Sequence, residues 1–286
     1  MTGYLLLDLV FAIFFIGAVV FCLYSFLQMM QQREQQKMLC ALKTLPGIEL
    51  KSVQILDLPA PLERYFHQSR FDMIKRLPCL EVQVSGSWQP KQGSPAIPVC
   101  GDIYYSINRP CFMEFFRPTT WPHILKTMIF HQSVNDGYIE ERFFSVLPMR
   151  RESGSCIRQM GLIKYFFQSV WFPWILHPSL YLNWEHVDER TARFTVSDSL
   201  IPLEFIAKFN ESGLIEEMTS ECNLVFCDKH HSCTKFIALY EMYCDIQGLY
   251  IPRVIKIFKN DASEKNLYQH LTLVSYHNAS VPPFSS

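Results

Sequence analysis

The sequence is poor in charge. Asp, Glu, Lys and Arg make up 19% of its 286 residues, and 26 basic against 27 acidic side chains leave a net charge of −1. A chain so balanced has no global field to draw it to nucleic acid or anionic lipid, and no nucleic-acid partner is expected. Catalytic signatures are missing too: the chain contains no GxSxG, no HExxH and no phosphate-loop pattern, which removes the motif-based case for those hydrolases, zinc peptidases and nucleotide enzymes. No period of 20 to 50 residues suggests a solenoid. The ten cysteines show no regular spacing of a secreted disulfide framework, although their even number permits pairing. Hydrophobic residues are abundant at 49%, with 23 Phe, 13 Tyr and 5 Trp. That composition excludes general disorder and suits a thick β core or an apolar pocket.

The segment from Tyr4 to Gln28 is almost wholly apolar, and Leu9 to Leu27 carries no charge. About 20 such residues in a helix cross a bilayer. No Lys or Arg precedes the run, no small-x-small cleavage site follows it, and Arg33, Lys37 and Lys43 lie beyond it. A cleaved signal peptide would want a basic start. The charge asymmetry therefore predicts a single-pass anchor in the cytoplasmic membrane with the remainder in the cytoplasm, an extracytoplasmic domain being the alternative. Gln28 to Lys43 lacks Gly and Pro and extends the helix. The expected organisation is an anchor over 1–28, a polar helical stalk over 29–50, a single β-rich domain over 51–280 and a tail over 281–286.

Within the domain, Pro61 is placed to open a short helix that puts Leu62, Tyr65 and Phe66 on one face. From Cys79 the signal becomes strands: LEVQVSGSW alternates Leu80, Val82 and Val84 with Glu81, Gln83 and Ser85. A second helix is expected over 158–176, with Leu162, Tyr165, Phe166 and Ser169 on one face and Pro173 ending or kinking it. Strands separated by NESG, CDKHHS, DIQG and NDASEKN resume beyond it. The fold class is α+β, a large, mostly antiparallel sheet with one or two packed helices.

The order of LPAPLERYF, SGSW, GDIYYSINRPCFMEF, NDGYIEERFFSVLPM, IKYFFQSVWFPWIL, LNWEHVDERTARFTV, LEFIAKFNESGLIEEM and YEMYCDIQGLYIP resembles a widespread bacterial family of uncharacterised, often membrane-anchored proteins, a domain of unknown function. The resemblance covers residues 55 to 277. It implies a curved antiparallel sheet with helices against it, similar to bacterial lipoprotein-carrier folds, and a pattern of Arg64, Tyr65, Trp171, Pro173, Trp184, Tyr243, Gly248 and Pro252. It implies no activity. Relatives carry acidic residues where this chain has Gly161 and Gln168, which speaks against acid–base chemistry on that helix.

Three sets of residues are candidates for a site. CDKHHSC, residues 227 to 233, brings together Cys227, His230, His231 and Cys233, with Cys222 upstream. It lacks the two separated ligand pairs of structural zinc and reads as a hairpin tip, so no metal and no cofactor is expected. Glu204 and Glu241 fall on solvent faces by strand alternation, with Lys208 or Lys235 as partners, and Glu140 and Glu141 form no readable catalytic set. The aromatic cluster is the third. Phe115, Trp121, Trp171, Trp174 and Trp184 are the expected lining of an apolar pocket, with Arg64 as its polar contact. The functional expectation is a membrane-tethered module binding a lipid or other apolar ligand, ahead of a structural partner of a membrane complex and of an enzyme.

Overall fold

The computed structural model describes residues 2–43, 58–70, 79–89, 93–106, 109–121, 126–133, 136–145, 147–178, 182–197, 203–223, 233–261 and 264–278. The CDKHHSC tip falls almost wholly outside them. Helix α1 (Thr2–Lys43) contains Val10–Leu27, 18 uncharged residues, none of them buried. At 1.5 Å per residue they span about 27 Å, close to the hydrocarbon thickness of a bilayer. A membrane span and a signal sequence share this length and composition. Helix α2 (Ala60–Gln68) has Pro at its start and buries Pro61, Leu62, Tyr65 and Phe66, leaving Glu63 and Arg64 exposed.

Thirteen strands form one antiparallel open sheet. The first six are β1 (Cys79–Trp88), β2 (Ile97–Ser106), β3 (Cys111–Pro118), β4 (Lys126–Gln132), β5 (Gly137–Phe143) and β6 (Leu147–Ser153). After helix α3 (Ser155–Gln168) come β7 (Leu182–Asp188), β8 (Thr191–Val196), β9 (Leu203–Phe209), β10 (Ile215–Asn223), β11 (Cys233–Ile246), β12 (Leu249–Asp261) and β13 (Glu264–Asn278). The order is β6-β5-β4-β3-β2-β1-β13-β12-β11-β10-β9-β8-β7. Two meanders are thus joined where β13 pairs with β1. The expected fold class is observed, with two edge strands, β6 and β7, added to the strands read from the sequence.

Strands β6 and β11 are eight strand spacings apart along this order, roughly 38 Å in a flat sheet at ~4.8 Å per strand. Side chains from both nevertheless line one cavity. The sheet therefore curls strongly, and α3 lies inside the curl. Every residue of α3 from Gly161 to Gln168 is buried, as a helix enclosed on all sides requires. The helix ends at Gln168, before the expected boundary, and two 3₁₀ turns follow, Ser169–Trp171 and Pro173–Leu176. Phe172 between them is extended (φ −137°, ψ 81°), because Pro173 bars its predecessor from helical geometry.

Aromatic heads pin these layers together. Trp171 Nε1 donates to Pro252 O (2.9 Å), Trp184 Nε1 to Leu176 O (2.8 Å), Tyr165 Oη to Ser106 O (2.8 Å), Tyr240 Oη to Phe167 O (2.8 Å) and Tyr243 Oη to Ile215 O (2.7 Å). Each satisfies its polar tip on a backbone carbonyl, and all but the half-buried Tyr243 bury the whole ring.

Candidate functional site

A cavity of about 530 Å³ lies where the two limbs of the curled sheet face each other beside the first turns of α3. Its walls are Trp88 from β1, Met128 from β4, Ile139 from β5, Ile157 and Met160 from α3, and Phe236 and Tyr268 from β11 and β13. These residues come from five strands and a helix, and no stretch of sequence contains more than two of them. Four charged residues, Glu141, Arg150, Glu152 and Lys259, share the lining with Gln89, Asn266 and Leu267. Arg150 and Glu152 are exposed and ion-paired with each other, which places the charge at the mouth and the apolar surface within. Gln269 lies directly across from Trp88 on one side and Ile257 on the other, so its side chain shares their face of the sheet. It is 1% exposed, and neither its amide oxygen nor its amide nitrogen has a partner. Buried amides are normally satisfied; this one is sealed beneath the cavity wall and is not among the residues lining it.

One rung deeper along the sheet lies a closed polar network. Met128 pairs with Phe116, and the next inward pair on the same face is Glu114 with Phe130. Glu114 is fully buried and takes an ion pair from Lys164 of α3, itself 4% exposed. Gln168 Nε2 donates to the other Glu114 oxygen (2.8 Å), and Tyr105 Oη donates to Gln168 Oε1 (2.7 Å). The Lys164 ammonium also sits 4.7 Å from the centre of the Phe130 ring, a cation–π distance. Burial, helped by the Glu114 charge, pushes the Tyr105 phenol well above its ordinary range, so it remains a neutral donor. Both Glu114 oxygens and both ends of Gln168 are engaged within the network, which locks α3 onto β2 and β3. The sequence carried a signal for it: Glu114 is the one charge in CFMEFF and Lys164 the one in GLIKYFF, and a lone charge in an apolar run needs a partner.

Gly161 marks a close approach of α3 to β4. A Cβ there would meet Gln132 Oε1 at 2.3 Å and Phe130 Cε1 at 3.0 Å. An acidic side chain at this position has no room unless Gln132 moves.

The structure disperses the six residues expected to form the pocket. Trp171, Trp174 and Trp184 are buried in the main core. Phe115 lies on the opposite face of the sheet, with Cys111, Met113, Ile129 and Tyr138. Trp121 is exposed in the loop after β3, and Arg64 donates to the Glu189 carbonyl. None of the six is among the residues lining the cavity. Of the carboxylates, Glu204 is exposed as expected and Glu241 half-buried, and their partners are Arg193 (3.7 Å) and Lys256 (2.7 Å). Glu140 is buried against Arg142, whereas Glu141 belongs to the cavity. Among the described residues no three His, Cys, Asp or Glu side chains converge as metal ligands.

Residues 49–270 match DUF6544, a family of unknown function. The chain belongs to that family. No curated protein matches it. Among solved structures this DUF6544 chain is similar to a LolA-superfamily protein from Nitrosomonas europaea, at 12% identity and a TM-score of 0.44, covering 79% of this chain and 96% of that one. It is also similar to an outer-membrane lipoprotein-sorting protein domain from Vibrio parahaemolyticus, at 8% identity and a TM-score of 0.44, covering 78% and 94%. A DUF1329-family protein from Desulfovibrio piger is 10% identical, with a TM-score of 0.42 over 78% and 94%.

Proposed function

We propose that the domain binds a lipid, or another ligand with an acyl-like tail, in the cavity between the limbs of the sheet. The observation that carries this reading is the cavity itself: about 530 Å³, with Met128, Ile139, Ile157, Met160 and Phe236 in its walls and charge at its mouth. Small-ligand sites run from ~300 to ~1,000 Å³ and combine apolar walls with a few polar groups. An apolar tail fits the interior, and a polar head fits beside Glu141, Arg150, Glu152 and Lys259. Helix α1, read as a membrane anchor, holds the domain where such ligands are concentrated.

Native mass spectrometry of the full chain tests the proposal. A lipid is expected to remain bound to the purified wild type. Met160→Trp combined with Ile139→Trp fills the cavity and should lower that occupancy at least tenfold, with the circular dichroism spectrum retained. Lipid adhering to α1 is common to both proteins and cancels in the comparison. Equal occupancy in the two would remove the cavity as the binding site.

We also propose that the domain faces the cytoplasm. Arg33, Lys37 and Lys43 on the domain side of the span support this, as do the free Cys100 and Cys244. A disulfide at Cys156 favours an oxidising compartment. A C-terminal reporter active only in the cytoplasm should give signal, and a silent one alongside an active exported reporter would reverse the orientation.

A further inference from the structure

We infer that the hairpin tips beside the cavity mouth form a membrane-contact surface, and that Trp121, Phe144, Leu147 and Met149 enter the bilayer interface. Trp121 is 77% exposed, and the other three are between 42% and 59% exposed. They come from two adjacent connections. Lys126 at the start of β4 pairs with Phe143 at the end of β5, and Phe143 pairs with Leu147 at the start of β6. The β3–β4 loop carrying Trp121 and the β5–β6 turn carrying Phe144 therefore emerge at the same end of the sheet. The Thr127 and Ser145 hydroxyls, 2.6 Å apart, bond β4 to that turn. The other large apolar side chains exposed on the domain among the described residues, Val187, Met242 and Val274, are scattered singly, which is ordinary. Four at one end of the sheet are not.

Three further observations point to a bilayer as the occupant. The first is backbone strain. Phe144 and Ser145 both adopt the left-handed conformation, with φ of 51° and 65°. Such turns favour Gly or Asn, and a bulky residue there costs about 1–2 kcal/mol. Phe144 remains 42% exposed although its ring packs edge-on against Phe143, 4.3 Å between centroids, and strain of this kind collects at functional sites. The second is charge. Arg150 and Arg151 are exposed next to Met149, and Lys126 is half-buried beside Phe143; with Glu141 and Glu152 counted, the tip is net basic, which suits an anionic headgroup layer. The third is position. Met128 pairs with Glu141, and both line the cavity two residues inward from the Lys126–Phe143 pair. Contact through this tip sets the mouth of the cavity against the bilayer, where a lipid could pass between the two without crossing water. Trp is suited to such a role, its ring being apolar and its indole N–H polar. The surface stands on exposure, strain and charge; its use in lipid passage rests on the ligand proposed above.

The test uses the full chain in nanodiscs of phosphatidylglycerol and phosphatidylcholine with brominated acyl chains, which quench tryptophan fluorescence on contact. Brominated lipid should quench a share of the emission in the wild type, and Trp121→Phe should abolish that share. Phe144→Asp with Leu147→Asp, which leaves Trp121 in place, should reduce it at least twofold. If brominated lipid enters the cavity it also quenches Trp88, but in wild type and Trp121→Phe alike, so the contact surface and the ligand site fail separately. Equal quenching in wild type and Trp121→Phe overturns the contact surface. So does a concentration-dependent dimer, seen by mass photometry, that shields Trp121 from the lipid.

Discussion

Lys164→Met is expected to destabilise the domain by about 3–5 kcal/mol, the usual cost of removing one partner from a buried ion pair. Glu114 has no exposure to solvent, so its carboxylate cannot recover hydration when the ammonium is lost. The Gln168 bond at 2.8 Å remains, but one amide does not offset a buried charge. The expected readout is a lower urea midpoint of the full chain, followed by the fluorescence of its buried tryptophans. Glu114→Gln added to Lys164→Met should restore more than half of the loss, since no unpaired charge is then left behind. A double variant as unstable as Lys164→Met alone would mean that the methionine's packing, and not the stranded charge, caused the damage. The same experiment separates structure from chemistry: a locking pair moves the unfolding midpoint, and in the fraction that still folds it leaves ligand occupancy of the cavity unchanged.

This pair also marks the limit of what the sequence discloses. Helix α2 was legible because Leu62, Tyr65 and Phe66 repeat at helical spacing behind a proline, and they are the residues it buries. Strand β1 was legible because Val82 and Val84 alternate with polar neighbours, and the burial follows that alternation. The two edge strands were not. Every residue of β6 is exposed, so its sequence, LPMRRES, carries no buried face to generate a period. In β7 only Leu182 and Trp184 are buried, too few to stand out from a loop. Curvature is further from view still. The cavity exists because β4, β5 and β6 meet β11 and β13 across the curl, and that meeting depends on pairing β1 with β13, nearly two hundred residues apart. The tryptophans looked like a pocket lining because size and clustering do not distinguish a ring that lines a space from one that fills it.

Trp171 shows the difference most sharply, and its replacement by alanine is expected to cost about 3–5 kcal/mol. The side chain is fully buried and among the largest such residues in the domain. Truncation leaves a void between the 3₁₀ turns and β12, and it strips the Pro252 carbonyl of the indole donor 2.9 Å away, an orphaned acceptor being worth about 1–3 kcal/mol by itself. Against a total stability of about 5–15 kcal/mol for an ordinary domain, this is enough to lower expression and to bring the urea midpoint down steeply. Trp171→Phe keeps most of the ring volume and loses chiefly the hydrogen bond, so its loss should be less than half as large. Because Trp171 lines no part of the cavity, Trp171→Phe should bind as much lipid per folded molecule as the wild type. A Trp171→Phe protein with a wild-type unfolding midpoint and an empty cavity would instead place the indole against the ligand, and the binding site would have to be moved from the open end of the curl to its centre.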